Sequence, residues 1–123
     1  MASKILIVDD NSDNAETLVW AMKALGHDAR MAVDGVSALD AIQYYTPDVV
    51  LCDLNMPYMN GYEVCDVMQQ SITLKNTTFI AQTGWDDAMH RQASKAHGFH
   101  HHLVKPIDLD KLHLIMSAPR AGT

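Results

Sequence analysis

Cysteine is scarce in this chain. Cys52 and Cys65 are the only two, and their separation matches neither a metal-ligand nor a redox spacing. Both fall in segments that read as strand and helix, so they are expected to be buried thiols in a reducing cytoplasm. Long apolar runs are missing too. None approaches the ~20 residues of a membrane span, and the opening Met1-Ala2-Ser3-Lys4 lacks the apolar stretch of a signal peptide. Positive charge is also short: the net charge of -6 argues against a basic face for direct nucleic-acid binding. No linker or low-complexity stretch interrupts the chain. Its 123 residues, 48% of them apolar, fit one domain over 1–123, with a core at about 4–116 and a tail at 117–123.

What is present is an alternation of strand and helix. Ile5-Leu6-Ile7-Val8 and Val49-Val50-Leu51-Cys52 are continuous apolar runs, the signature of strands buried on both faces. Ala15, Leu18, Val19, Met22 and Leu25 recur at helical spacing and stop at Gly26. Asp28 to Val33 reads as a second strand. Ala38, Ala41, Ile42 and Tyr45 share a helical face that closes at Pro47. A loop with Pro57 and Gly61 leads to a helix carrying Val64, Cys65 and Met68. Phe79-Ile80-Ala81 reads as a fourth strand, and its helix is expected from about Asp86-Asp87 to Gly98. His101 to Val104 forms a fifth strand, followed by an Asp108-capped helix with Leu109, Leu112 and Met116 inward. Five such units predict an α/β, flavodoxin-like (βα)5 three-layer sandwich, with a parallel sheet in the order 2-1-3-4-5.

In that order the strand ends gather polar residues. Asp9 and Asp10 follow the first strand and Asp53 the third, with Thr83 after the fourth and Lys105 after the fifth. Ligands bind at such carboxyl ends, where strand order reverses. Three neighbouring carboxylates stay ionised together only with a cation among them, and an all-oxygen set suits Mg2+, with Mn2+ also acceptable, rather than zinc. Asp53 stands alone on the central strand and is the expected nucleophile toward phosphorus, giving an aspartyl phosphate. Taken singly, each residue has a plainer reading: an aspartate after a strand is usually a turn or cap residue. The joint placement at four strand ends is what argues for a site.

These residues carry a resemblance. Ile7-Val8-Asp9-Asp10-Asn11, Asp53-Leu54-Asn55-Met56-Pro57 with Gly61-Tyr62-Glu63-Val64, Thr83-Gly84 and Lys105-Pro106 resemble the receiver domains of bacterial two-component signalling, in order, from about Lys4 to Met116. The resemblance implies that Asp53 accepts phosphate from a histidine kinase or histidine phosphotransfer protein. It implies Mg2+ bound by Asp10, Asp53 and the Asn55 carbonyl, with Asp9 assisting through water. Thr83 and Lys105 would contact the phosphoryl group, Gly84 would leave room over it, and the Lys105–Pro106 bond would be cis. The domain would be a phosphoacceptor in the cytoplasm rather than an enzyme, inserting in no membrane and touching no nucleic acid directly.

Two positions depart from the family pattern. The switch residue, usually Tyr or Phe and paired with Thr83, is His102, which predicts a weaker or pH-sensitive change of the helix 4, strand 5 and helix 5 face. Trp85 stands where a polar residue is common; with Asn55 it would line the water route to the phosphoaspartate, or else merely cover apolar surface. The histidines His97, His100, His101 and His102 do not read as a ligand set, because strand alternation divides them. Thr83-Gly84-Trp85 with Gly98-Phe99 and His101-His102-Leu103-Val104-Lys105-Pro106 is similar to receivers at the C-terminal end of hybrid sensor kinases. The alternative is a Mg2+-dependent phosphatase of the haloacid-dehalogenase type, which needs Asp-x-Asp where Asp9 and Asp10 are adjacent. A flavodoxin-like FMN site is discarded, since Asp9-Asp10 would repel the phosphate.

Overall fold

The computed structural model describes residues 3–56, 61–84 and 88–118. Pro57, Trp85, the Asp86-Asp87 helix start and the tail from Pro119 onward lie outside the described residues. The strands are β1 (Lys4–Val8), β2 (Asp28–Ala32), β3 (Val49–Asp53), β4 (Thr78–Thr83) and β5 (His101–Val104). The helices are α1 (Ser12–Ala24), α2 (Gly35–Ala41), α3 (Gly61–Gln69), α4 (Ala88–Ala96) and α5 (Leu109–Ser117), with a 3-10 turn at Ile72–Leu74 before β4. All four strand pairings are parallel and the sheet order is β2-β1-β3-β4-β5.

Alternation along the strands divides the core in two. Ile5, Ile7, Val49, Leu51 and Ile80 pack with Leu18 and Met22 of α1 and Leu112 and Met116 of α5. Leu6, Val8, Val50, Cys52, Phe79 and Ala81 pack on the other side with Ala38 of α2 and Val64, Cys65 and Met68 of α3. Both faces of the sheet are covered, which is why β1 and β3 are apolar without interruption. Asp9 and Asp53 continue the first of these faces past its apolar end.

Local chemistry ends the elements. Asn11 caps α1 by accepting from the Asn14 amide at 3.1 Å, and Gly26, at φ 92°, turns the chain into β2. Asp108 caps α5 by accepting from the amides of Asp110 (2.9 Å) and Lys111 (3.3 Å). Asp108→Ala is expected to lower unfolding stability by about 1 kcal/mol, a loss that urea titration would read. An unchanged midpoint would show that the cap contributes nothing.

α2 is shorter than its apolar spacing suggests. It ends at Ala41, and Tyr45 lies beyond it, buried, donating its hydroxyl to the Asp28 carbonyl at 3.1 Å. Burial, with Asp28 nearby, pushes the Tyr45 phenol up to about 12, so it stays a donor. β4 is longer than the Phe79–Ala81 run, because the polar Gln82 and Thr83 complete it. α4 is the most lightly seated helix: Ser94 is its only buried side chain among the described residues.

Candidate functional site

The carboxyl ends of β1, β3 and β5 open into one cavity of about 710 Å³, lined by Asp9, Asp10, Asp53, Asn55, Gln82 and Lys105 among others. One carboxylate oxygen from each of Asp9, Asp10 and Asp53 lies within 4.8 Å of the others, the only group with metal-holding spacing among the described residues. Asp53, at 1% exposure, is the last residue of β3, and its Oδ2 pairs with Lys105 Nζ at 3.0 Å. Its Oδ1 accepts from the Asn55 amide at 2.8 Å. Burial pushes the Asp53 carboxyl up from its ordinary value; the Asn55 amide and Lys105 oppose that, while Asp9 adds to it.

Asp9 is fully buried and held on several sides. Its Oδ1 accepts from the Asn11 amide at 3.0 Å, and its Oδ2 accepts from Gln82 Nε2 at 3.1 Å and from the Asn14 side-chain amide. Asp10, by contrast, is exposed at the mouth of the same cavity. The set is hard, anionic and all-oxygen, and it carries one cation, Lys105, against three carboxylates. A divalent cation fits that chemistry, and Mg2+ fits it better than a metal preferring nitrogen or sulfur.

The remaining predicted residues sit around this centre. Thr83 ends β4 and is buried; it is not among the described lining residues of the cavity. Gly84 follows it and donates its amide to Asn55 Oδ1 at 3.1 Å, tying the β4 end to the loop after β3. The Lys105–Pro106 peptide is cis, and the Lys105 amide donates to the Thr83 carbonyl at 2.8 Å. His102 lies apart, in a groove of about 460 Å³ between α4 and β5 that also holds Arg91, Lys95, His100 and His101. Its Nδ1 is 3.0 Å from the hydroxyl of Ser94. Two of the other histidines are separately engaged: His100 Nδ1 accepts from the Phe79 amide at 2.9 Å, and His97 pairs with Asp66 at 3.1 Å.

Two contributors escaped the sequence reading, Asn14 and Gln82. Asn14 lies one helical turn beyond the aspartate pair, a spacing that could have marked it. Gln82 is a buried amide directly after the apolar run Phe79–Ala81, which is itself the signal.

Residues 5–117 match the response regulator receiver domain family. The chain belongs to that family. As a receiver domain it is 36% identical over 89 residues to the DNA-binding response regulator MtrA of Mycolicibacterium paratuberculosis, covering 72% of this chain and 40% of that protein. It is 27% identical over 109 residues to Protein PilG of Pseudomonas aeruginosa, covering 89% of this chain and 81% of the other. The chemotaxis protein CheY4 of Vibrio cholerae superposes with a TM-score of 0.87 at 29% identity, over 94% of this chain and 96% of that one. The chain spans about two-fifths of the length of MtrA, so what the rest of such a protein does is not carried over. No described helix of this receiver domain is long and apolar enough to cross a membrane.

Proposed function

We propose that this receiver domain accepts a phosphoryl group on Asp53 from a phosphohistidine of a kinase or phosphotransfer protein, in a reaction that needs Mg2+. The observation that supports it best is the trio of carboxylates within 4.8 Å beside a lysine ammonium 3.0 Å from Asp53. A carboxylate oxygen of Asp53 forms the new O–P bond as the donor's P–N bond breaks and the leaving imidazole takes up a proton. Asp10, Asp53 and the Asn55 carbonyl, assisted by Asp9, would hold the cation, which supplies charge neutralisation for the incoming phosphoryl oxygens. Lys105 offers a point charge to the same oxygens, and Thr83 and Gly84 stand at the strand end where they would meet them. Asn55 and Trp85 are proposed to set how readily water reaches the product.

The whole of 1–123 is proposed to act as one module in the cytoplasm, alone or at the end of a hybrid kinase. It would act through protein contacts rather than by turning over a substrate. The test is loading from phosphoramidate, a small P–N donor, with Mg2+. The expected product is an acyl phosphate that hydroxylamine cleaves, with no turnover of p-nitrophenyl phosphate. Steady phosphomonoester turnover would instead favour the haloacid-dehalogenase type of chemistry, which nothing in the family match supports.

Thr83 and His102 are proposed as the switch pair. Ser94 is the only buried side chain of α4 among the described residues, and His102 is its hydrogen-bonding partner, so movement of this imidazole would reach the helix directly. Arg91 and Lys95 share the groove, so any positive charge His102 gained there would face two cations. The amide shifts of α4 and β5 are therefore expected to respond to phosphorylation differently at about pH 6 and about pH 8. Identical responses at both would remove the imidazole from the mechanism.

A further inference from the structure

Gln82 does not belong where an apolar strand residue would serve. It shares the sheet face of Ile80, where Ile7 and Leu51 are also buried, and it is itself fully buried. In register it stands directly beside Asp53, strand to strand. From there its side chain reaches past Asp53 to Asp9, donating Nε2 to Asp9 Oδ2 at 3.1 Å. That orientation is chemically fixed while Asp9 is ionised, because the amide oxygen would otherwise face a carboxylate. The consequence is at the other end of the amide. Gln82 Oε1 is buried without a hydrogen-bond partner, in a residue that lines the carboxylate cavity.

A buried acceptor left unpaired carries a cost, and a strand face packed with isoleucine and leucine offers an obvious way to avoid it. The glutamine therefore has a use beyond packing. Asp9 has its Oδ1 occupied by the Asn11 amide, and the Gln82 and Asn14 amides both bond its Oδ2, so its carboxylate is oriented from several sides. Polar groups behind metal-binding carboxylates orient them and bond to the hydration shell of the ion.

We infer that Gln82 is a positioning residue of the cation site: its amide nitrogen orients Asp9, and its Oε1 accepts a hydrogen bond from a water of the bound divalent cation's hydration shell. This rests on the reading of the three carboxylates as a Mg2+ site. It assigns to one unpaired buried oxygen the function of selecting a hydrated ion. It also gives the β4 end a direct part in setting Mg2+ affinity, separate from Thr83.

The test is Mg2+ titration without any phosphodonor, by calorimetry or amide chemical shifts, on the wild type, Gln82→Leu and Gln82→Met. Both variants are expected to bind Mg2+ about tenfold more weakly. In chelator, both are expected to stay folded, because the loss of the unpaired Oε1 offsets the loss of one donor to Asp9, which the Asn11 and Asn14 amides still hold. A residue that only packs would leave the Mg2+ affinity alone in both folded variants. Affinities within twofold of the wild type in either folded variant would overturn the inference while leaving the cation site standing. Absence of Mg2+ binding by the wild type itself would overturn both.

Discussion

Mg2+ is expected to raise the melting temperature of the wild-type protein by several degrees, and Asp53→Asn is expected to be more stable than wild type in chelator yet gain far less from Mg2+. The argument starts from Asp53, buried at 1% exposure with the Asp9 carboxylate close by. Burial raises its carboxyl above the ordinary 3.8 despite the Asn55 amide and Lys105. Between 3.8 and that raised value the folded state holds more protons than the unfolded one, so stability falls as pH rises through the window. At neutral pH the cation-free fold therefore carries the full cost of this charge. Asparagine removes it, and Lys105, a third exposed, stays hydrated without its partner. A gain of about 1 kcal/mol in chelator is expected. A cation at a hundredfold excess over its dissociation constant adds about 2.7 kcal/mol to the wild type, and most of that is lost with the third carboxylate. Thermal melts of both proteins with Mg2+ and with chelator check each part. A wild type indifferent to Mg2+, or an Asp53→Asn variant less stable than wild type in chelator, would contradict the electrostatic account.

Gly61→Ala is expected to cost about 1–3 kcal/mol of stability and to slow phosphoryl acceptance. A Cβ at Gly61 would sit 2.6 Å from the Asp53 carbonyl oxygen and 3.2 Å from Leu54 Cα, both backbone atoms that cannot swing away. To relieve the clash α3 and the end of β3 must part, and the end of β3 is what aims Asp53. The better helix propensity of alanine, worth about 1 kcal/mol, does not offset that. Gly84→Ala is the control for stability, since a Cβ there meets nothing within 4 Å among the described residues. Urea titration of both variants reads the difference. Equal stability of Gly61→Ala and wild type would show that the two backbones are free to separate.

How much of this was legible beforehand follows from what kind of contact each residue makes. Asp9, Asp10, Asp53 and Lys105 were readable because each follows or ends a strand marked by its own sequence, and strand order alone brings them together. The end of β4 was less clear, since Gln82 and Thr83 are polar and hide the strand beyond Ala81. Gln82 was legible only as a polar residue after the apolar run of β4; its partner was not, because it reaches past β3 to β1, a distance that no local pattern encodes. Tyr45 looked helical by spacing, yet its hydroxyl is held by the Asp28 carbonyl after α2 has ended. Gly61 read as a loop residue before a helix; its approach to the Asp53 carbonyl belongs to tertiary packing.

The most direct measurement is intact mass after incubation with Mg2+ and acetyl phosphate, for the wild type beside Asp53→Asn. One phosphoryl group is expected on the wild type, and none on the variant or in the presence of chelator. An adduct that persists in Asp53→Asn, or that forms equally well without a divalent cation, would contradict the assignment of Asp53 and its carboxylate neighbours as the phosphoacceptor site.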